Sequence, residues 1–307
     1  MTRRILLIAN PSAAAGRAAS QWKELLGDLE QRRLEADYVL TDHPRHAVDL
    51  ARDAAGKYDV IAAVGGDGTV NEVASGMLLS GQGGSMLGVI PVGTGNDVAQ
   101  LVGIRTVDDA VRALAEGTSQ AMDVIEVVCE EPSATRYALL YAAVGFAGEL
   151  LKHTTPEVKK ILGSRYCYTF GFFRALFSYQ TPMMQVKCDD REFNGRMFLV
   201  SAGNAEIVGA GTMRLSPGAI ADDGKLNVNV VEELGRFEVA RWFPRLLMGT
   251  HTTHPKVHYF PATSVSIESE PRMEVQVDGE LFGKTPVTFT VRPRALRVIA
   301  GWGLSVE

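Results

Sequence analysis

Residues 59–73, DVIAAVGGDGTVNEV, join an unbroken apolar run to a segment in which three glycines crowd one aspartate. The run DVIAAVG reads as a strand buried on both faces. TVNEVASGMLL, which follows, reads as a helix. A structural turn needs one glycine or two. Three around Asp67 and Thr69 imply that something approaches the backbone closely, because glycine costs backbone entropy wherever it is used.

The same rhythm extends to both sides over the first part of the chain. RRILLIAN, ADYVLTD and MLGVIPVG read as further strands, and SQWKELLGDLEQRRL, HAVDLARDAAGKY, NDVAQLVGI and VDDAVRALAEG as helices. Apolar runs alternating with amphipathic segments predict βαβ units around a parallel sheet. Past residue 124 the pattern changes to short β-type runs with Asp-Gly, Asn-Gly and Pro-Gly turns, which predicts a mainly antiparallel β-sandwich. Helical stretches at about 156–180 and 235–250 interrupt it. The expected organisation is therefore an α/β domain over 1–123 and a β-sandwich domain over 124–295. The last strand, about 296–307, is read as returning to the first domain.

Composition narrows the function. The 307 residues suit two domains. A formal net charge of −5 argues against a broad nucleic-acid footprint. Cys129, Cys167 and Cys188 are far apart, forming neither a zinc site nor a disulfide framework, and their sparseness fits a reducing cytoplasm. The first apolar run is too short for a signal-peptide core. No stretch approaches the roughly twenty apolar residues of a membrane span, so any membrane contact is expected to be peripheral.

Four loops stand at the C-terminal ends of the predicted strands: Asn10-Pro11, Thr41-Asp42, Gly65–Thr69 and Gly93–Asp97. Ligands of open parallel sheets bind outside those ends. The amides that open the following helices favour anions, which points to a phosphate crevice. Neither common phosphate fingerprint is present. GTGNDV (93–98) holds Val98 where a dinucleotide fingerprint has its last glycine and follows the fourth strand instead of the first. No Walker-type G-x-x-x-x-G-K-[ST] occurs.

GGDGTVNEV, with NPSAAAGR before it and PVGTGNDVAQLVGI after it, resembles the diacylglycerol kinase-type catalytic domain. Within that superfamily the chain looks most like the YegS/DgkB-type bacterial lipid kinases. The likeness continues through SPGAIADDGKLNV (216–228) and VQVDGELF (275–282) and covers nearly the whole chain. GGDGT alone is shared with NAD kinases and 6-phosphofructokinases; the ordered set with GTGND, DDG and DGE is more specific.

The resemblance implies an ATP-dependent lipid kinase using Mg²⁺. Gly65, Gly66, Asp67, Gly68, Thr69 and Asn71 would bind phosphates and ribose, with Asn10, Thr41 and Thr94 lining the same crevice. Asp67 and Asp97 would organise the catalytic Mg²⁺ region. Asp223, with the carbonyls of Ile220 and Lys225, would form a second, structural Mg²⁺ site. Asp278 and Glu280 would supply or orient the general base, and which of the two acts is open. The first loop departs from the family's NPxSGxG, and Arg17 is a candidate phosphate contact there.

On the lipid side, residues 158–180 interleave Tyr166, Tyr168, Phe170, Phe172, Phe173 and Phe177 with Lys159, Lys160, Arg165 and Arg174. Such a segment suits an anionic bilayer interface, and equally a core helix. His251 and His254 in THTTHP have no evident third metal ligand. The expected partners are ATP and a membrane lipid such as diacylglycerol, phosphatidylglycerol or ceramide, and no nucleic acid; a homodimer stays open. The alternatives are an NAD kinase, which shares GGDGT but differs at GTGND, and a non-catalytic nucleotide- or lipid-binding regulator.

Overall fold

The structure, a computed structural model, describes residues 3–12, 18–153 and 171–301. The chain divides into two compact units, Met1–Val124 with Pro293–Glu307, and Ile125–Arg292.

In the first unit, β1 (Ile5–Ala9) pairs in parallel with β2 (Ala36–Leu40) and β3 (Val60–Gly65). Strand β3 pairs in parallel with β4 (Met86–Pro91), and β4 with the closing part of β14 (Glu280–Ile299) at Leu87 and Val298. Every residue of β1 and β3 is buried, as continuous apolar runs require when helices cover both faces. Strand β2 is the edge, and it leaves Tyr38 and Leu40 exposed.

The covering helices are α1 (Ala18–Gln31), α2 (His46–Ala54), α3 (Asp67–Leu79), α4 (Asp97–Leu101) and α5 (Val107–Glu116). Helix α5 shows how local chemistry sets its ends. Thr106 and Asp109 form a reciprocal capping box at its start, and Gly117 closes it in the left-handed region at φ 70°. The returning strand is held by Asp123, a fully buried carboxylate that accepts the Arg294 amide at 2.7 Å.

Helix α3 begins at Asp67, two residues before the helix read from sequence. The GGDGT element is therefore a short loop followed at once by the first helical turn. Helices α2 and α3 meet at Gly76, where a Cβ would lie 2.2 Å from the Val48 carbonyl and 2.9 Å from the Ala51 Cβ.

The second unit is β-rich. Strand β9 (Arg191–Gly203) pairs antiparallel with β8 (Met183–Cys188) along its first half, and with β7 (Tyr141–Gly145) and β10 (Leu226–Glu232) along its second. Strand β7 pairs with β13 (Glu274–Val277), β13 with β14, β14 with β12 (Ser264–Glu270), and β12 with β8. These antiparallel pairings return to β9 and close a ring. Its core includes Val144, Val186, Val200, Ile267, Val275 and Phe289. Strand β11 (Val257–Ala262) extends the sheet beyond β10, and β6 (Ala134–Ala138) pairs with β5 (Ser119–Glu131).

Three helices cover a second apolar cluster: α6 (Phe146–Lys152), α7, described over 171–178, and α8 (Arg236–Leu247). Phe146, Phe172, Phe198 and Val239 lie at its centre. Strand β11 and helix α6 were not anticipated, and the last strand, read as beginning at about 296, is the end of the long strand Glu280–Ile299, with 302–307 outside the described residues.

Gly76→Ala is expected to cost about 1–3 kcal/mol, because the new methyl meets backbone that cannot yield. Its thermal midpoint should fall by several degrees in a calorimetric scan; an unchanged midpoint would contradict this packing.

Candidate functional site

Four loops follow β1 to β4 in the first unit, and the segment that opens α3 touches the other three. Thr69 accepts a hydrogen bond through Oγ1 from Asn10 Nδ2 at 3.3 Å, which ties in the first loop. Glu72 Oε1 accepts the Arg45 amide at 3.2 Å, which ties in the second. Asp67 Oδ1 accepts the Val98 amide at 3.0 Å, which ties in the fourth.

The glycines make this possible. A Cβ on Gly93 would stand 2.4 Å from the Gly66 Cα, so these two loops pass backbone against backbone. A Cβ on Gly65 would fall 2.4 Å from both Cβ and Oγ1 of Thr69. Asn96, in the left-handed region at φ 56°, clamps its loop by bonding both the amide and the carbonyl of Gly93.

The first amides of α3 have no intrahelical acceptor, and the helix dipole adds to their pull on anions. Asn10, Thr41, Gly66, Asp67 and Gly68 keep partial exposure and Thr94 is exposed, whereas Gly65 and Thr69 are buried. Asn71 and Asp97, expected beside them, also have buried side chains, 2% and 8% exposed. That burial was not legible in the sequence. Arg17 lies outside the described residues.

In the second unit, Asp278 and Gly279 form the two-residue turn between β13 and β14. Both take positive φ, 46° and 87°, as tight hairpins demand. The Asp278 carboxylate is committed to backbone. Its Oδ2 accepts the Leu139 amide at 2.7 Å, and its Oδ1 accepts the amides of Leu140 and Tyr141 at 2.9 and 3.0 Å. Three amides of the β6–β7 junction thus use most of the acceptor capacity of Asp278, an anchoring arrangement. Glu280 is different. Its side chain is 51% exposed and pairs with the guanidinium of Arg136, itself mostly buried. Arg136 was not anticipated from sequence, since its partner lies far along the chain.

The 216–228 loop presents Asp223, whose Oδ1 accepts the Lys225 amide at 2.9 Å in a tight local turn. Ile220 and Lys225 are exposed at the same loop. One carboxylate with backbone carbonyls is an all-oxygen donor set, the kind Mg²⁺ selects.

Other reactive groups are committed elsewhere. His251 Nε2 lies 3.3 Å from Asn229 Oδ1, and burial lowers its pKa. His254 Nε2 meets Glu238 Oε1 at 3.1 Å, its ring against Trp242. Burial pushes the Cys129 thiol up to about 11 and Cys188 to about 12, so neither is a thiolate nucleophile at neutral pH. Cys167 falls outside the described residues.

Residues 4–127 match the model described as diacylglycerol kinase catalytic domain, and 152–300 the one described as YegS C-terminal NAD kinase beta sandwich-like domain. The chain is 31% identical over 291 residues to a diacylglycerol kinase of Staphylococcus saprophyticus, covering 94% of this chain and 92% of that protein. It is 30% identical over 302 residues to a diacylglycerol kinase of Staphylococcus aureus, covering 98% and 93%. A crystal structure of a putative diacylglycerol kinase from Bacillus anthracis superposes with a TM-score of 0.80 at 23% identity, covering 98% of each chain, which shows a shared fold.

Replacing Asp278 separates anchoring from catalysis. Asp278→Ala strands the three amides of residues 139–141 and should cost about 3 kcal/mol in a denaturant titration. Asp278→Asn keeps one acceptor oxygen and should cost less. Equal, negligible losses would refute the anchoring role.

Proposed function

The chain belongs to the diacylglycerol kinase family, and we propose that it transfers the γ-phosphate of ATP to the hydroxyl of a membrane lipid, diacylglycerol first among the candidates. The observation that carries this reading is the cradle at the α3 N-terminus, where Gly66 and Gly93 bring backbone amides to a common anion-binding edge.

In this reading each residue has a role. Amides at Gly66, Asp67, Gly68 and Thr69 bind the phosphates, with Asn10, Thr41, Gly65 and Thr94 around them. Asn71 and Asp97 position the cradle. Asp67 gives one oxygen to the Val98 amide and keeps the other for a metal ion or a ribose hydroxyl. The carboxylates of Asp67 and Asp97 fit the catalytic Mg²⁺, and Asp223 with the carbonyls of Ile220 and Lys225 fits a structural one. Mg²⁺ supplies charge neutralisation for the transferring phosphoryl group.

Glu280 is the base. It accepts the proton of the lipid hydroxyl, whose oxygen forms the new bond to the γ-phosphorus as the bond to ADP breaks. Arg136 holds the Glu280 carboxylate in one orientation. Asp278 positions the hairpin that presents it.

The lipid acceptor implies work at a bilayer surface. Among the described residues no helix is long and apolar enough to cross a membrane. Helices α7 and α8 carry exposed Phe173, Phe177 and Phe237, the last 93% exposed. Arg236 lies over the Phe177 ring at 5.8 Å, and Arg174 is on the same helix as Phe173 and Phe177. Aromatics flanked by arginines favour an anionic interface, with each basic side chain contributing about 1 kcal/mol near the surface. The earlier part of the 158–180 segment lies mostly outside the described residues.

Radiolabelled ATP, Mg²⁺ and either diacylglycerol or NAD test the acceptor: label should enter the lipid. Label in NAD alone, or in neither, would overturn the reading. Glu280→Gln should lower kcat by about 10²–10⁴-fold while leaving ATP affinity unchanged. A second prediction concerns the surface. The double variant Phe177→Glu, Phe237→Glu should lose cosedimentation with phosphatidylglycerol vesicles yet keep activity on a water-soluble short-chain acceptor. Undiminished cosedimentation would exclude this face.

A further inference from the structure

The β2–α2 loop reads TDHPRH over 41–46, and the structure gathers three of its side chains into one donor set. Asp42 Oδ1 lies 2.7 Å from His46 Nδ1 and 3.3 Å from His43 Nε2. The two imidazoles stack with ring centroids 4.5 Å apart. One ligand atom from each residue lies within 4.8 Å of the other two.

The loop is shaped to bring these groups together. Arg45 takes the left-handed region at φ 67°, which is costly for a side chain with a Cβ. Its amide is fastened to Glu72 Oε1 at 3.2 Å, in the helix that opens the phosphate cradle. His43 Nδ1 stands 3.0 Å from the Pro44 carbonyl, a contact made with Nδ1 as the N–H donor, and Nε2 faces Asp42. A hydrogen bond on the far ring nitrogen is the usual way a ligating histidine is oriented.

We propose that Asp42, His43 and His46 form a binding site for a divalent transition-metal ion of the zinc class. A carboxylate oxygen facing two imidazole nitrogens attracts a cation, and protonated imidazoles answer the same attraction in its absence. Two nitrogens and one oxygen suit Zn²⁺, Ni²⁺ or Co²⁺, whereas Mg²⁺ selects oxygen donors. The site is therefore distinct in ligand chemistry from the all-oxygen Mg²⁺ positions at Asp67, Asp97 and Asp223. Asp42 and His43 are exposed and His46 is partly buried, so water would complete the coordination. An ion held there stiffens the loop that also carries Thr41.

Titration of the metal-free full-length chain with Zn²⁺ in a calorimeter tests the site without reference to kinase activity. One equivalent should bind saturably, and excess Mg²⁺ should not displace it. His43→Ala and His46→Ala should each weaken binding by more than about tenfold. His258→Ala, which removes an imidazole paired with Glu232, should leave it unchanged. Circular dichroism of each variant separates lost binding from lost fold. Co²⁺ in place of Zn²⁺ should give visible d–d absorption in the wild type that His43→Ala abolishes. Absence of saturable Zn²⁺ binding in the wild type, or full affinity in both folded histidine variants, overturns the proposal.

Discussion

Gly66 and Gly93 touch backbone to backbone, and the arrangement of the nucleotide-side loops depends on that contact. With a Cβ on Gly93 only 2.4 Å from the Gly66 Cα, no other residue fits. The close approach lets Asp67 reach the Val98 amide, which binds the start of α4 to the start of α3. Thr69 and Glu72, on the first turns of α3, then reach the two remaining loops. One eight-residue stretch, 65–72, thereby sets the positions of four loops contributed by four strands. The entropy that glycine loses on folding is the cost of removing side chains from this crossing. What it gains is a fixed array of amides, pre-oriented before any anion arrives.

The second unit uses carboxylates in the same economical way but for different ends. Asp278 and Glu280 flank one glycine in a hairpin, yet their surroundings divide them. Three amides bind Asp278, and one mostly buried guanidinium orients Glu280 while leaving its side chain half exposed. The first arrangement ties the hairpin to the β6–β7 junction, and the second fixes the direction of an exposed carboxylate. The left-handed φ of Asp278 belongs to the same device: the turn points that carboxylate back at residues 139–141 and starts β14 with Glu280 on the open side.

The alternation of apolar runs and amphipathic segments made most of the first unit legible, because burial of β1 and β3 on both faces leaves a continuous apolar record. The loops were legible for a related reason: glycine is chosen where a Cβ cannot fit, and that choice survives as a letter. Less was readable where the determining partner is remote. Arg136 looks like any surface arginine until Glu280 lies beside it. Strand β11, VHYFPA, carries a proline and reads as loop, yet it sits at the end of the sheet order, where a missing amide is tolerated. The burial of Asn71 and Asp97 could not be told from the exposure of Thr94, since all three stand in polar loop or helix-start sequence.

The acid at the heart of GGDGT has two electrostatic obligations. Near phosphates a bare carboxylate repels what the glycines attract. At the first turn of a helix the same carboxylate is favoured by the dipole, and Asp67 occupies that turn. The Val98 amide neutralises part of its charge through one oxygen and fixes the direction of the other. The carboxylate thus ties the two loop edges together through one oxygen. Structural need alone accounts for one of its lone-pair directions. The remaining directions stay with a negative group held at a helix start, beside amides that the dipole makes positive.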